Sequence, residues 1–194
     1  MDYVYQQSTN KVLLSNGFDQ RNRELHGLKI RWRFISDFIL LNQSEIGNKD
    51  YRSEFFSSKN YQLENFKNQT KVQYQPGFKT KLELNYTYTD KNNSSGTEKS
   101  ITHDIGTEIN YTVSKKGNLL ATANYLLIDY NADSNTSLAY EMLQGLKPGK
   151  NATWSLTFQR KLAGYLELNV LYQGRVSENI KTIHTGSIQL RAFF

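Results

Sequence analysis

The chain has 194 residues, with 24 Lys and Arg against 18 Asp and Glu for a formal net charge of +6, and it contains no cysteine. The lack of cysteine excludes a disulfide framework, a thiolate metal site and a thiol nucleophile. A mean hydropathy of −0.65 and short apolar runs exclude membrane-spanning helices, which need about 20 apolar residues in a row. They leave open a transmembrane β-barrel, in which only alternate residues meet lipid.

Apolar and polar residues alternate along most of the chain with the period of two that is typical of strands with one apolar face. The alternation predicts an all-β chain. Residues 2–14, with Tyr3 and Tyr5 on one face, supply a first strand. Nine further strands follow at about 27–34, 38–46, 58–75, 80–90, 100–113, 118–131, 150–161, 165–177 and 182–194. The segment 118–131 fits least well, because Leu120, Leu126 and Ile128 fall on the opposite parity from Leu119.

Short and long connections alternate along the chain. Tight turns are predicted at 35–37, 76–79, 114–117 and 162–164, and long polar loops at about 44–57, 90–100 and 131–150. In an antiparallel meander, this order places the turns at one end and the loops at the other, as in bacterial outer-membrane barrels. Soluble sandwiches mix their connections at both ends. The predicted fold is therefore an antiparallel up-and-down transmembrane β-barrel of about ten strands, or the last nine strands of a larger barrel.

On this interpretation, the apolar parity of each strand faces lipid and the polar parity faces the lumen. The lipid-facing residues are Leu28, Ile30, Trp32, Leu82, Leu84, Tyr86, Trp154, Leu156, Phe158, Leu166, Leu168 and Val170. The lumen-facing residues are Lys29, Arg31, Arg33, Glu83, Glu108, Glu167 and Arg191. Their mixed charges predict ion pairs that fill a small lumen, which favours a structural barrel over a diffusion porin. A larger barrel would reverse that preference.

The last strand is amphipathic and stops on an aromatic residue. Its one-sided face comprises Gly186, Ile188, Leu190, Ala192 and Phe194. This strand resembles the C-terminal β-signal of outer-membrane barrels, which the barrel-assembly machinery recognises. Segments 145–154, 172–175 and 183–186 also look like the closing hairpins of outer-membrane proteins of the Bacteroidetes type. The resemblance implies a preceding portion, so residues 1–26 are expected to be a strand and loop leading in from upstream sequence, and residues 27–194 the barrel.

Catalytic chemistry has little support in the sequence. The three histidines, His26, His103 and His184, have no metal-ligand spacing, and we expect no metal and no cofactor. A rim protease built from His103, Asp104 and Asp133 would lack any recognisable motif. Basic residues and aromatics at 29–33 alternate onto opposite strand faces, so we also expect no nucleic-acid surface.

The sequence thus predicts a non-catalytic barrel in a Gram-negative outer membrane, serving as an anchor or assembly element. One alternative is the C-terminal part of an outer-membrane transporter or porin. Another is a soluble β-protein that binds lipid or glycan. The expected partners are outer-membrane lipids and lipopolysaccharide, the barrel-assembly machinery during insertion, and upstream strands or other outer-membrane subunits.

Overall fold

Ten antiparallel strands follow one another in a single sheet, each paired with its neighbours in the chain. The structure is a computed structural model that describes residues 1–15, 17–114, 117–178 and 180–193. The all-β, up-and-down architecture predicted from the sequence is confirmed. The strands are β1 (Asp2–Leu14), β2 (Gly17–Ile35), β3 (Phe38–Ser53), β4 (Tyr61–Tyr74), β5 (Thr80–Asn93), β6 (Lys99–Ser114), β7 (Gly117–Tyr130), β8 (Gly149–Ala163), β9 (Leu166–Ser177) and β10 (Ile183–Ala192). One helix, α1 (Ser137–Leu143), lies between β7 and β8, and a short 3-10 turn spans Ser57–Lys59.

Strands β2 and β3 extend further than the alternation predicts. The loop expected at 44–57 is wrong, because β3 continues to Ser53 and only 54–60 connect it to β4. Most residues of the extensions are polar on either face, so they carry no sustained alternation, and they are held by pairing, for example of Arg23 with Lys49. The boundary drawn between residues 26 and 27 falls inside β2.

The predicted sorting of connections by length holds only in part: the two longest, 54–60 and 131–148, lie at the same end of the sheet, but 75–79 at the other end is as long as 94–98 and 178–182. One end, here called the loop end, carries the segments 54–60, 94–98, 131–148 and 178–182, together with the short β1–β2 connection. The other end, here called the turn end, carries 36–37, 75–79 and 164–165. The turn predicted at 114–117 includes Lys115 and Lys116, which lie outside the described residues.

The sheet has two chemically different faces, because cross-strand partners share a face and successive residues alternate. The inner face is the one that contacts α1. One row of partners across it is Leu25, Gly47, Asn65, Lys91, Ser100 and Tyr130. A row across the opposite, outer face is Ile30, Asn42, Thr70, Tyr86, Ile105 and Tyr125.

Burial is inverted relative to a water-soluble domain. Outer-face apolar side chains are open to the surroundings, with Leu84 62% and Ile105 59% exposed. Several inner-face polar side chains are buried, with Ser100 1% and Asn151 2% exposed, beside apolar ones such as Leu63 and Ile128. Among the described residues β1 pairs only with β2 and β10 only with β9, so the sheet has two open edges.

Candidate functional site

The helix α1 is a short, well-capped element in the long connection between β7 and β8. The Thr136 side chain accepts a hydrogen bond from the Ala139 amide at 3.0 Å and so caps the first turn. At the other end Gln144 adopts a left-handed conformation with φ of 56°, and its amide donates to the carbonyl of Tyr140. The helix is therefore defined locally at both ends, although it has only seven residues.

The helix α1 packs against the inner face of the sheet, where it contacts β4 on one side and β7 on the other. Met142, 1% exposed, lies in a cluster with Tyr61 and Leu63 of β4. Ala139 and Leu143 cluster with Ile128 of β7. Strands β4 and β7 are separated by two strands in the sheet, so the sheet curves enough for one helix to reach both. The connection thus folds back over the inner face.

Two lysines of the sheet hold the C-terminal half of α1. Lys49 of β3 forms an ion pair with Glu141. The ammonium group of Lys91 of β5 donates to the carbonyl oxygen of Met142 at 2.7 Å and to that of Glu141 at 3.4 Å. The last carbonyls of a helix have no intrahelical donors and carry partial negative charge, which a cation stabilises. Lys91 therefore acts as a C-terminal cap supplied by the sheet.

A polar cavity of about 400 Å³ lies between α1 and the inner face. Its lining includes Asn65, Lys67, Gln69 and Asp104. The side-chain Oδ1 atoms of Asn65 and Asp104 are buried without a hydrogen-bond partner among the described residues. The cavity is therefore suited to water or another polar occupant.

Ion pairs join the neighbouring strands β4, β5 and β6 on the inner face nearer the turn end. Glu83, 6% exposed, lies 3.0 Å from Lys71 and 3.2 Å from Lys81, and Lys81 is 3.8 Å from Glu108. These contacts are of the kind that the mixed inner charges predict, and they satisfy a carboxylate that would be costly to bury alone. The other residues predicted to face the lumen lie on the same face without an ion pair among the described residues: Lys29, Arg31, Arg33, Glu167 and Arg191.

All twelve residues predicted to face lipid lie on the outer face by register. They are Leu28, Ile30, Trp32, Leu82, Leu84, Tyr86, Trp154, Leu156, Phe158, Leu166, Leu168 and Val170. Four residues of the predicted assembly signal, Gly186, Ile188, Leu190 and Ala192, also lie on this face, at the open edge of β10. Phe194 lies outside the described residues.

Each histidine is paired with a tyrosine on the outer face. The distances from tyrosine Oη to histidine Nδ1 are 2.7 Å for Tyr3 and His26, 2.7 Å for Tyr86 and His103, and 2.8 Å for Tyr172 and His184. Each imidazole on the outer face thus has a hydrogen-bond partner on a neighbouring strand.

The structure does not assemble the rim protease considered above. His103 and Asp104 are successive residues of β6 and lie on opposite faces. Asp133 lies in the connection before α1, where it accepts a hydrogen bond from the Asn135 amide at 2.9 Å. Within the described ranges, no group of three or more His, Asp or Glu is arranged to hold a metal ion. No helix of that part of the chain is long and apolar enough to span a membrane.

Sequence reasoning missed α1 as a feature of the inner face. The segment 131–150 was expected to be a polar loop. One signal was present: two of the three apolar residues of β7 that broke the alternation, Leu126 and Ile128, pack against α1, whereas Leu120 is not part of that cluster.

Comparison with known proteins adds information on the fold. No protein-family model matches the chain, and no curated protein matches its sequence. Among solved structures, the NanC porin aligns with 99% of this chain and 94% of its own chain at 8% sequence identity, with a TM-score of 0.54. The translocator domain of the autotransporter NalP from Neisseria meningitidis aligns with 98% of this chain and 86% of its own at 10% identity, but the TM-score is only 0.38. The likeness to the porin concerns the fold alone: this chain has the fold of an outer-membrane β-barrel protein.

Proposed function

We propose that this chain is an outer-membrane β-barrel that acts as a non-catalytic anchor or assembly element, with its lumen occluded by α1. The main support is a distribution of side chains opposite to that of a water-soluble protein, with large apolar residues exposed on the outer face and several polar residues buried on the inner face. In lipid this arrangement places the large apolar side chains of the outer face in a favourable solvent, and the backbone is satisfied through cross-strand pairing.

The soluble alternative is disfavoured by the extent of the outer apolar surface. Large apolar side chains on every strand from β2 to β10 are exposed, among them Trp32, Ile46, Leu84, Ile105 and Leu190. Water-soluble monomers rarely expose contiguous apolar patches beyond a few hundred Å². A lipid- or glycan-binding soluble protein would instead bury such residues in its core.

The porin alternative is disfavoured by α1. A diffusion pore needs a continuous water path, whereas here α1 bridges β4 and β7 over the inner face. The Lys71–Glu83–Lys81 cluster adds bulk to the inner face of β4 and β5 nearer the turn end. The cavity of about 400 Å³ between α1 and the inner face favours a second function, passage of a small polar solute once α1 moves. We rank this second function below the first, because α1 is capped at both ends and is held on the sheet by Lys49 and Lys91.

The proposal requires β1 and β10 to pair and close the sheet. Each strand has one free edge, β1 runs from the turn end to the loop end, and β10 runs the opposite way, so the two are oriented for antiparallel pairing. The apolar outer side of β10 at an unpaired edge is also a suitable template for strand addition by the barrel-assembly machinery. Lipopolysaccharide and other outer-membrane lipids are the proposed partners of the outer face, and a Bacteroidetes-type origin remains a proposal based on segments 145–154, 172–175 and 183–186.

Detergent dependence tests the proposal. The refolded chain should give a heat-modifiable band in detergent or liposomes and should aggregate in plain buffer, and after expression in a Gram-negative host with a secretion signal it should fractionate with the outer membrane. A monomer that is folded in buffer without detergent would contradict the proposal.

A further inference from the structure

Four polar residues form a connected group in the middle of the outer face. Asn42 and Ser44 of β3 are the cross-strand partners of Thr70 and Asn68 of β4. The Asn42 amide donates to Thr70 Oγ1 at 2.9 Å and to Asn68 Oδ1 at 3.4 Å, and the Asn68 amide donates to Ser44 Oγ at 2.7 Å. We call this group the amide patch.

The amide patch has apolar residues above and below it. Towards the turn end, the next outer pair is Leu40 with Val72. Towards the loop end, the next outer pair is Ile46 with Phe66, both exposed. The patch therefore interrupts the apolar surface instead of marking its boundary, and on the proposed function it lies at the depth of the hydrocarbon.

Internal hydrogen bonds do not exhaust the capacity of the patch. Each Asn side chain offers two N–H donors and an acceptor with two lone pairs, and each hydroxyl offers a donor as well as acceptors. Among the described residues, Asn42 Oδ1 accepts no hydrogen bond, and the hydroxyls of Ser44 and Thr70 act only as acceptors. Polar groups that face lipid tails without partners are costly, since lipid tails offer no hydrogen bonds.

We infer that the amide patch is the contact through which two copies of this chain associate in the membrane, an inference that rests on the proposed function. The patch carries no formal charge, so a charged partner would bring an uncompensated charge to the contact. It presents amide donors, amide acceptors and hydroxyls together, so an identical patch turned by a two-fold rotation offers matching groups. Side-chain amides and hydroxyls are also the groups that join membrane-embedded segments.

Cross-linking tests the inference directly, since the chain has no native cysteine. Thr70→Cys places a single thiol in the patch, and Leu156→Cys places one on the outer face of β8, four strands away in the sheet. Membranes holding each variant are treated with a short membrane-permeant bismaleimide. We expect Thr70→Cys to give a covalent dimer in several times the yield of Leu156→Cys, and adding Asn42→Leu and Asn68→Leu should return the yield to that of the control.

The same variants separate failure of this inference from failure of the proposed function. A water-soluble maleimide should leave Leu156→Cys unmodified if the outer face meets lipid, and modification there would contradict the membrane placement. Protection of Leu156→Cys with no excess of dimer for Thr70→Cys would overturn the dimer alone. A cross-link from Thr70→Cys to a host protein of different mass would also overturn it. Heat-modifiable migration of every variant confirms that each one is folded.

Discussion

The indole of Trp154 lies directly over Gly174, its cross-strand partner on the outer face. A Cβ at position 174 would overlap the ring atoms Cε2 and Cζ2, so the close approach requires glycine. From this position Trp154 reaches β10, where its ring centroid lies 6.0 Å from that of His184. His184 is in turn hydrogen-bonded to Tyr172 of β9. One side chain thus ties together the last three strands.

Replacement of Gly174 by Ala should displace the indole and lower the free energy of unfolding by about 1–3 kcal/mol, the usual cost of overpacking. Urea titration in detergent, followed by tryptophan fluorescence in a Trp32→Phe background, measures the change and reports on Trp154 alone. The matched control is Gly164→Ala in the β8–β9 turn, where an added Cβ meets nothing within 4 Å. Equal effects at the two positions would contradict the packing described here.

Arginine at position 170 should destabilise the barrel far more than arginine at position 169. Val170 pairs with Phe158 and Ile188 on the outer face, whereas Leu168 pairs with Arg160 and so lies nearer the boundary. We expect Val170→Arg to cost about 2–4 kcal/mol in liposomes, as for charges near the bilayer midplane. Asn169→Arg, on the inner face, should cost much less. Urea unfolding of both variants gives the comparison, and a reversed order would mean that the faces are exchanged.

Loss of the Lys91 ammonium should release α1 from the inner face. Lys91→Met removes the donor to the carbonyls of Glu141 and Met142 and keeps an unbranched side chain, so we expect docking of α1 to weaken by about 1–3 kcal/mol, as for other hydrogen bonds to charged groups. Hydrogen exchange at residues 139–143 should accelerate, and channel openings in planar bilayers should become more frequent. Lys99→Met is the control, because Lys99 forms its ion pair with Asp90, at 3.3 Å, and not with α1. Unchanged exchange and conductance would show that α1 is not held by Lys91.

The sequence is sufficient to predict the sheet, because the membrane and the lumen impose opposite polarity on alternate residues. It fails where that contrast disappears. At Asn22, Arg23 and Asn48, both faces are polar, so the long ends of β2 and β3 could be found only from their pairing. The inner-face site could not be predicted for a different reason: α1 has only seven residues, and its partner Tyr61 on β4 is distant in sequence.

Closure of the barrel predicts a specific disulfide between β1 and β10. Ten strands tilted by about 35–45° have a shear of about 10–14 residues, given the spacing and rise of strands. Cross-strand partners followed from Asp2 on β1, strand by strand, lead to Ser177 on β9. Ser177 lies two residues after Arg175, and Arg175 pairs with Ile183 of β10, which fixes the register of β10 relative to this row. A shear in the middle of the range of about 10–14 residues places Ser187 opposite Ser8 on the inner face. The smallest and the largest shear place Ser187 opposite Gln6 and Asn10, respectively.

Ser187→Cys is therefore combined in turn with Gln6→Cys, Ser8→Cys and Asn10→Cys. We expect oxidation in membranes to give an intramolecular disulfide most readily with Ser8→Cys, detected by non-reducing electrophoresis and mass spectrometry. A preference for one of the other two variants would assign a different shear. Intermolecular disulfides alone would mean that β1 and β10 pair with other chains, and closure within one chain would then be wrong.

The most direct test of the central claim is the environment of successive side chains along β9. Single nitroxide labels at residues 166–172 in liposomes report collision with oxygen, which concentrates in lipid, and with a water-soluble nickel chelate. We expect oxygen accessibility to peak at 166, 168, 170 and 172 and to fall at 167, 169 and 171, with little access of the chelate at the even positions. Absence of a two-residue period, or free access of the chelate to the even positions, would contradict a barrel with its outer face in lipid.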